Sequence, residues 1–289
     1  MDHCPVCLEV GVVPCTECGR LYHARCIGRL LEHGFDNCQC CFVSFSPSLH
    51  VKAAEYVVEI DHNSPASRLQ LAAALTSAKR VSDALCILQS IQTNEVFAAP
   101  RMKSTLDIEM GRAYLTLGQP RRATRELLSA FVISNTRRLI ASEMQLRAMA
   151  LLTRAYFDQK DYDMVHTIAR AAMCETHRMR HQEATYIMRV VANTYKAQGE
   201  TNKYRSTLEA LHAIITEESR DTLAKAIVTA ELGIVEHELG LRSSERLKPA
   251  KKTLRKHKHT MTGPACLAFQ MQVRPFKRVV RKTHPEDMR

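Results

Sequence analysis

A chain of 289 residues with a 45% hydrophobic share can build one or two domains with real cores, and it shows none of the low complexity of a disordered polymer. No apolar run approaches the roughly 20 residues needed to cross a bilayer, and the opening Met1-Asp2-His3-Cys4 lacks the basic, apolar, small-residue order of a secretory signal. The net charge of +11 belongs to the tail: residues 242–289 carry 14 Lys/Arg against 3 Asp/Glu, residues 1–241 carry 27 of each sign, and a basic nucleic-acid-binding body is thereby excluded.

These properties imply an intracellular protein, cytoplasmic or nuclear, held in a reducing compartment where thiols bind metal rather than pair as disulfides. The first predicted element, residues 1–45, holds eight of the eleven cysteines. Cys4, Cys7, Cys15, Cys18, His23, Cys26, Cys38 and Cys41 read C-x2-C-x7-C-x2-C-x4-H-x2-C-x11-C-x2-C. Pairs separated by two residues bite one tetrahedral ion from a tight turn, and eight soft donors suffice for two zinc ions. About 40 residues bury too little apolar surface to fold alone, so the metal must supply the difference. Cys40 is a spare that can replace Cys38 or Cys41; His3 and His33 are weaker substitutes.

The run Cys4-Pro5-Val6-Cys7-Leu8-Glu9 and the segment Cys18-Gly19-Arg20-Leu21-Tyr22-His23-Ala24-Arg25-Cys26-Ile27, followed by Leu30-Leu31, resemble the RING fingers of ubiquitin ligases. That resemblance implies a cross-brace, with Cys4, Cys7, His23 and Cys26 on one zinc and Cys15, Cys18, Cys38 and Cys41 on the other. It also implies docking of a ubiquitin-conjugating enzyme on Val6 and on the helix carrying Ile27, Leu30 and Leu31. For at least one of Leu30 and Leu31 a place in the module's own core is the favoured reading. Such a ligase carries no nucleophile and contributes proximity and orientation. The order of four cysteines, one histidine and three cysteines is also that of PHD fingers, which read histone tails. Phe42 stands directly after Cys41, where active RING ligases often carry a cation. A zinc-finger adaptor without transfer activity, PHD-like or an inactive RING, is therefore the alternative function.

Residues 46–63 read as a linker, with turn chemistry around Pro47 and a strand or short helix over 51–60. From Ser64-Pro65 to residue 241 the pattern is helical, because Pro loses nothing at a first helical position; Gln119-Pro120 restarts a helix in the same way. A repeat emerges on aligning Ala72 and Leu75, Gly111 and Tyr114, Thr153 and Tyr156, Ala192 and Tyr195, Gly233 and Glu236. Successive marks lie 39, 42, 39 and 41 residues apart. The pattern resembles the tetratricopeptide repeat in its longer, kinesin-light-chain style. The fold expected for the whole chain is mainly α: a small binuclear cross-brace zinc finger, then an all-α tetratricopeptide-like solenoid.

A solenoid of this kind offers a concave surface to a peptide or protein. The resemblance points Arg112, Arg154 and Asn193 into that groove, with Arg147, Arg189 and Lys196 on the same face, and the recurring cations suggest an acidic ligand. Arginine stems covering apolar helix surface are the competing explanation. No catalytic constellation is visible: His166, His177, His181 and His212 are scattered, no phosphate-binding glycine loop occurs, and Cys86 and Cys174 read as small buried residues. The basic tail, residues 242–289, reads as partly helical or disordered, with weak signals for contact with nucleic acid or an anionic surface.

Overall fold

The ligand pairs shape the first turns of the chain. Cys15 is tied to the segment after Cys18: its N–H donates to the Arg20 carbonyl at 2.8 Å, and the Gly19 N–H donates to the Cys15 carbonyl at 3.0 Å. Gly19 sits at φ 68°, a left-handed position that glycine adopts without cost. Strands β1 (Val13–Pro14) and β2 (Leu21–Tyr22) flank this turn as an antiparallel pair, Val13 opposite Tyr22 and Pro14 opposite Leu21. Helix α1 (Ala24–Glu32) follows at once. The computed structural model describes residues 3–7, 13–15, 18–32, 38, 40, 45–61, 64–94, 100–136, 141–174, 181–218, 222–241, 249–250 and 252–253. Cys41, Phe42, the Leu31 and Cys174 side chains and nearly all of the basic tail lie outside the described residues.

Part of the expected linker is helix α2 (Pro47–Ile60). Its start is local chemistry: the Leu49 N–H donates to the Ser46 Oγ at 3.4 Å, and Pro47 occupies the first helical position. Leu49 and Ala53 of α2 join Cys4, Cys15, Tyr22, Cys26, Ile27, Cys38 and Phe45 in one apolar cluster. Tyr22 packs edge-on against Phe45, ring centroids 5.5 Å apart. Gly28 lets α1 approach α2: a Cβ there would lie 3.1 Å from Val57 Cγ2.

The chain divides into two compact units, Met1–Gln159 and Lys160–Arg289. In the first, α3 (Pro65–Ser77), α4 (Val81–Asn94), α5 (Pro100–Thr116), α6 (Pro120–Thr136) and α7 (Ala141–Asp158) follow α2. The second contains α8 (Tyr162–Cys174), α9 (His181–Ala197), α10 (Thr201–Glu218) and α11 (Thr222–Glu238). Its core is built from Ala192, Leu208, Leu211, Val228 and Leu232, with Tyr195 packed against it. No helix among the described residues is long and apolar enough to cross a membrane.

The repeat has a backbone signature. Left-handed φ values occur at Lys79 (64°), Gly118 (70°), Lys160 (63°), Gly199 (76°) and Gly240 (74°), spaced 39, 42, 39 and 41 residues apart. In four of these turns the next N–H reaches back five residues to a carbonyl: Arg80 to Leu75, Gln119 to Tyr114, Glu200 to Tyr195 at 2.9 Å each, and Leu241 to Glu236 at 2.8 Å. This is Schellman closure of a helix C-terminus. The acceptors are the repeat marks themselves, so the periodicity records where each first helix must stop.

Close helix contact within a pair relies on Gly111. A Cβ there would lie 2.5 Å from Leu127 Cγ, and Leu127 is fully buried in α6. Asp107 and Ser129 pin the same two helices, the hydroxyl donating to the carboxylate at 2.7 Å. Burial pushes the Asp107 carboxyl up, while Lys103 and Ser129 oppose that shift. Gly111→Ala should therefore lower stability by about 1–3 kcal/mol despite alanine's better helix propensity, because overpacking outweighs it. Gly118 has open space around it and only its φ is demanding. Gly118→Ala should cost about 1 kcal/mol and Lys160→Gly should gain a similar amount. Chemical denaturation of the full chain measures all three; a neutral Gly111→Ala would contradict the packing described.

Candidate metal centres and docking surfaces

Four donors from two distant turns converge at the start of the chain. The Sγ atoms of Cys4, Cys7 and Cys26 and a ring nitrogen of His23 all lie within 4.8 Å of one another. Cys4 and Cys7 come from the turn before β1, and His23 and Cys26 from the entry to α1, where the Cys26 N–H donates to the His23 carbonyl at 3.0 Å. Cys7 Sγ stands 3.3 Å from His23 Nδ1. A second group interleaves with the first in sequence: Cys15, Cys18 and Cys38, again within 4.8 Å, with Cys18 Sγ 3.7 Å from Cys38 Sγ. Both clusters can hold a metal ion.

The electrostatics of the first cluster fit a cation. Burial pushes the Cys4 thiol up, but hydrogen bonds from the backbone of Val6, His23 and Cys7 and from the His23 side chain outweigh it and bring the thiol to about 6. Burial and the neighbouring Cys7 and Cys4 side chains push the Cys26 thiol up to about 12. With no positive charge nearby, thiolates so close together repel, and one ionises at the expense of another. A divalent ion removes that conflict and lets all three thiols ionise.

The second cluster has its own supports. Tyr22 Oη lies 3.1 Å from Cys38 Sγ in buried surroundings, and the Cys40 N–H donates to Cys38 Sγ at 3.4 Å. Cys40 is described and exposed, yet its sulfur is not among the gathered donors. Cys41, expected as the fourth ligand, lies outside the described residues.

The surface residues divide. Val6 is 39% exposed between Cys4 and Cys7. Ile27, expected in a docking surface, is 1% exposed and belongs to the core, because it sits on the α1 face turned toward Phe45 and Leu49. Leu30 is half-buried against the same core.

The five expected groove cations are engaged in internal contacts. Arg112 Nη2 approaches Glu109 Oε2 at 2.6 Å and donates to the Ala73 carbonyl at 3.0 Å. Arg147 Nη2 donates to the same carboxylate's Oε1 at 3.1 Å. Arg154 donates to Asp158 at 2.9 Å, Arg189 pairs with Glu231, and Lys196 lies 5.6 Å above the Tyr204 ring. Asn193 is half-buried on α9. Glu109, nearly fully buried, was not singled out in the sequence; its position three residues before Arg112 is the available signal. Cys86, read from sequence as a small buried residue, is exposed on α4.

No family model and no curated protein matches the chain. Solved structures do. The crystal structure of BtubC (BKLC) from P. vanneervenii matches with a TM-score of 0.59 at 14% identity, covering 75% of this chain and 92% of that one. Two crystal structures of a Podosopora anserina putative kinesin light chain with nearly identical TPR-like repeats, one of them of a point variant, match with a TM-score of 0.53 at 19% identity. They cover 66–67% of this chain and 95% of theirs. The helical body is therefore a tetratricopeptide-like repeat fold.

Because Cys26 must lose a proton on coordination, metal binding should release protons and weaken as the pH falls from about 8 toward 6. Competition against a chromophoric chelator across that range measures this. Cys41→Ser should lose one of two bound ions and Cys40→Ser neither. Loss of an ion in Cys40→Ser would contradict the position of Cys40 outside the gathered donors.

Proposed function

We propose that the chain is a RING-type ubiquitin ligase whose cross-brace holds two zinc ions, one on Cys4, Cys7, His23 and Cys26 and the other on Cys15, Cys18, Cys38 and Cys41. Zinc suits this donor set, thiolate-rich and tetrahedral in count, and its contribution here is structural. The module docks a charged ubiquitin-conjugating enzyme and the helical repeats hold a protein substrate. The observation that carries the reading is the interleaving of two soft-ligand clusters with an apolar residue, Val6, exposed between the first two ligands. Val6 then supplies the first docking contact and the exposed part of Leu30 the second.

No side chain of this chain enters the bond changes. A substrate lysine amine attacks the thioester carbonyl on the conjugating enzyme, an isopeptide bond forms, and the conjugating enzyme's cysteine thiolate leaves. The ligase raises the encounter frequency and fixes the geometry of that attack.

A second reading, a zinc-stabilised adaptor without transfer activity, draws support from the burial of Ile27, which leaves the docking surface smaller than the sequence implied. Purified zinc-loaded chain with a panel of conjugating enzymes should build ubiquitin conjugates. Val6→Asp should reduce them at least tenfold while zinc content and melting temperature hold, since the side chain is exposed. Silence of the unaltered chain across the panel would leave the adaptor reading standing.

A further inference from the structure

The junction between the metal-binding module and the first repeat encloses a cleft of about 320 Å³. Helices α1 and α2 form one wall, and α3 and α5 the other. Half of the lining residues are small: Gly28, Ala53, Ala54, Ala73 and Ala74 contribute no more than a methyl group each, and this leaves space between the helices. Val57 adds an apolar branch, His50, Gln70 and Ser77 add polar atoms, and Arg112 is the one permanent charge among the described lining residues. None of the described lining residues carries a carboxylate.

Arg112 is incompletely used by its own fold. Its Nη2 serves Ala73 and Glu109, but its Nε is buried and has no hydrogen-bond partner. Glu109, its counter-ion, is shared with Arg147. Two guanidinium groups against one carboxylate leave one positive charge in excess, partly withdrawn from water and facing a cleft. A desolvated cation of this kind attracts an anion more strongly than a surface lysine does. The volume lies within the range of ordinary ligand pockets.

We propose that this junctional cleft binds a protein segment bearing an acidic side chain next to a small apolar one, the carboxylate meeting Arg112 and the apolar group resting on Ala53 and Ala74. Every helix wall spends its backbone N–H groups internally, so the guanidinium supplies the charge recognition and the neighbouring polar side chains the remaining donors. The inference deepens the reading above, and rests on it, by placing a substrate- or partner-recognition site against the metal-binding module. An acceptor bound there stands beside α1, the helix that carries Cys26 of the first cluster.

The test selects a randomised decapeptide display library on the full zinc-loaded chain, then measures the enriched peptides by fluorescence anisotropy with neither conjugating enzyme nor ubiquitin present. Its outcome is thus independent of ligase activity. The expected result is enrichment of a Glu or Asp beside a small apolar residue, with affinity falling at least tenfold on exchange of that acid for its amide and weakening with added salt. Arg112→Gln should abolish the acid preference. Because Arg112 also pairs with buried Glu109, Ala74→Leu serves as the second variant; it fills the cleft without touching that pair and should lose binding at unchanged melting temperature. Amidating the peptide C-terminus should change nothing. Enrichment without an acid, no enrichment at all, dependence on a free C-terminus, or undiminished binding in a folded Ala74→Leu chain would each overturn the proposal.

Discussion

Three thiols and an imidazole within 4.8 Å form a cluster that a protein cannot hold by hydrophobic burial alone. Ionised together they repel, and protonated together they fill the centre of a small module with weakly bonding sulfur. A bound cation would relieve both conflicts, and the donors of the module are gathered as such an ion requires. Cys4, Cys15, Cys26 and Cys38 are at once candidate metal ligands and core residues, because their turns bury them among Tyr22, Ile27 and Phe45. The donor clusters and the apolar core are therefore one structure rather than two.

That core does not end with the ligands. Leu49 and Ala53 of α2 complete it, and α2 in turn lies against α3 beside the Arg112 cleft. Gly28 removes the side chain that would hold α1 away from α2. Loss of metal should thus propagate into α2 through contacts, without needing any long-range device. The same continuity gives the module a fixed bearing on the first repeat helices.

Much of this was legible in the residues. The repeat marks at Leu75, Tyr114, Tyr195 and Glu236 were visible because helix termination leaves a periodic trace, and the left-handed turns recur at the same intervals. The helix starts at Pro65 and Pro120 were legible for a local reason, proline's fitness for a first position. The joint over 46–63 was only half legible: Ser46-Pro47 is a helix start, but nothing local says that Leu49 and Ala53 belong to the preceding module's core. Ile27 illustrates the same gap, since a helix face turns inward or outward according to partners distant in the chain. The arginines show it most clearly. Arg112 and Arg147 look like recurring free cations in sequence, yet both meet Glu109, and only the packed helices bring the three together. Cys86 departs in the other direction, exposed on α4 where its residue type favours burial.

The central claim is that metal coordination and α2 form one cooperative unit. Native-state hydrogen exchange of the full chain, zinc-loaded and after chelation, tests it most directly. On this account chelation removes protection from α1 and from Pro47–Ile60 together, while α5 and α6, pinned by Gly111 against Leu127 and by Asp107 against Ser129, keep theirs. Retained protection over Pro47–Ile60 after complete metal removal would contradict it.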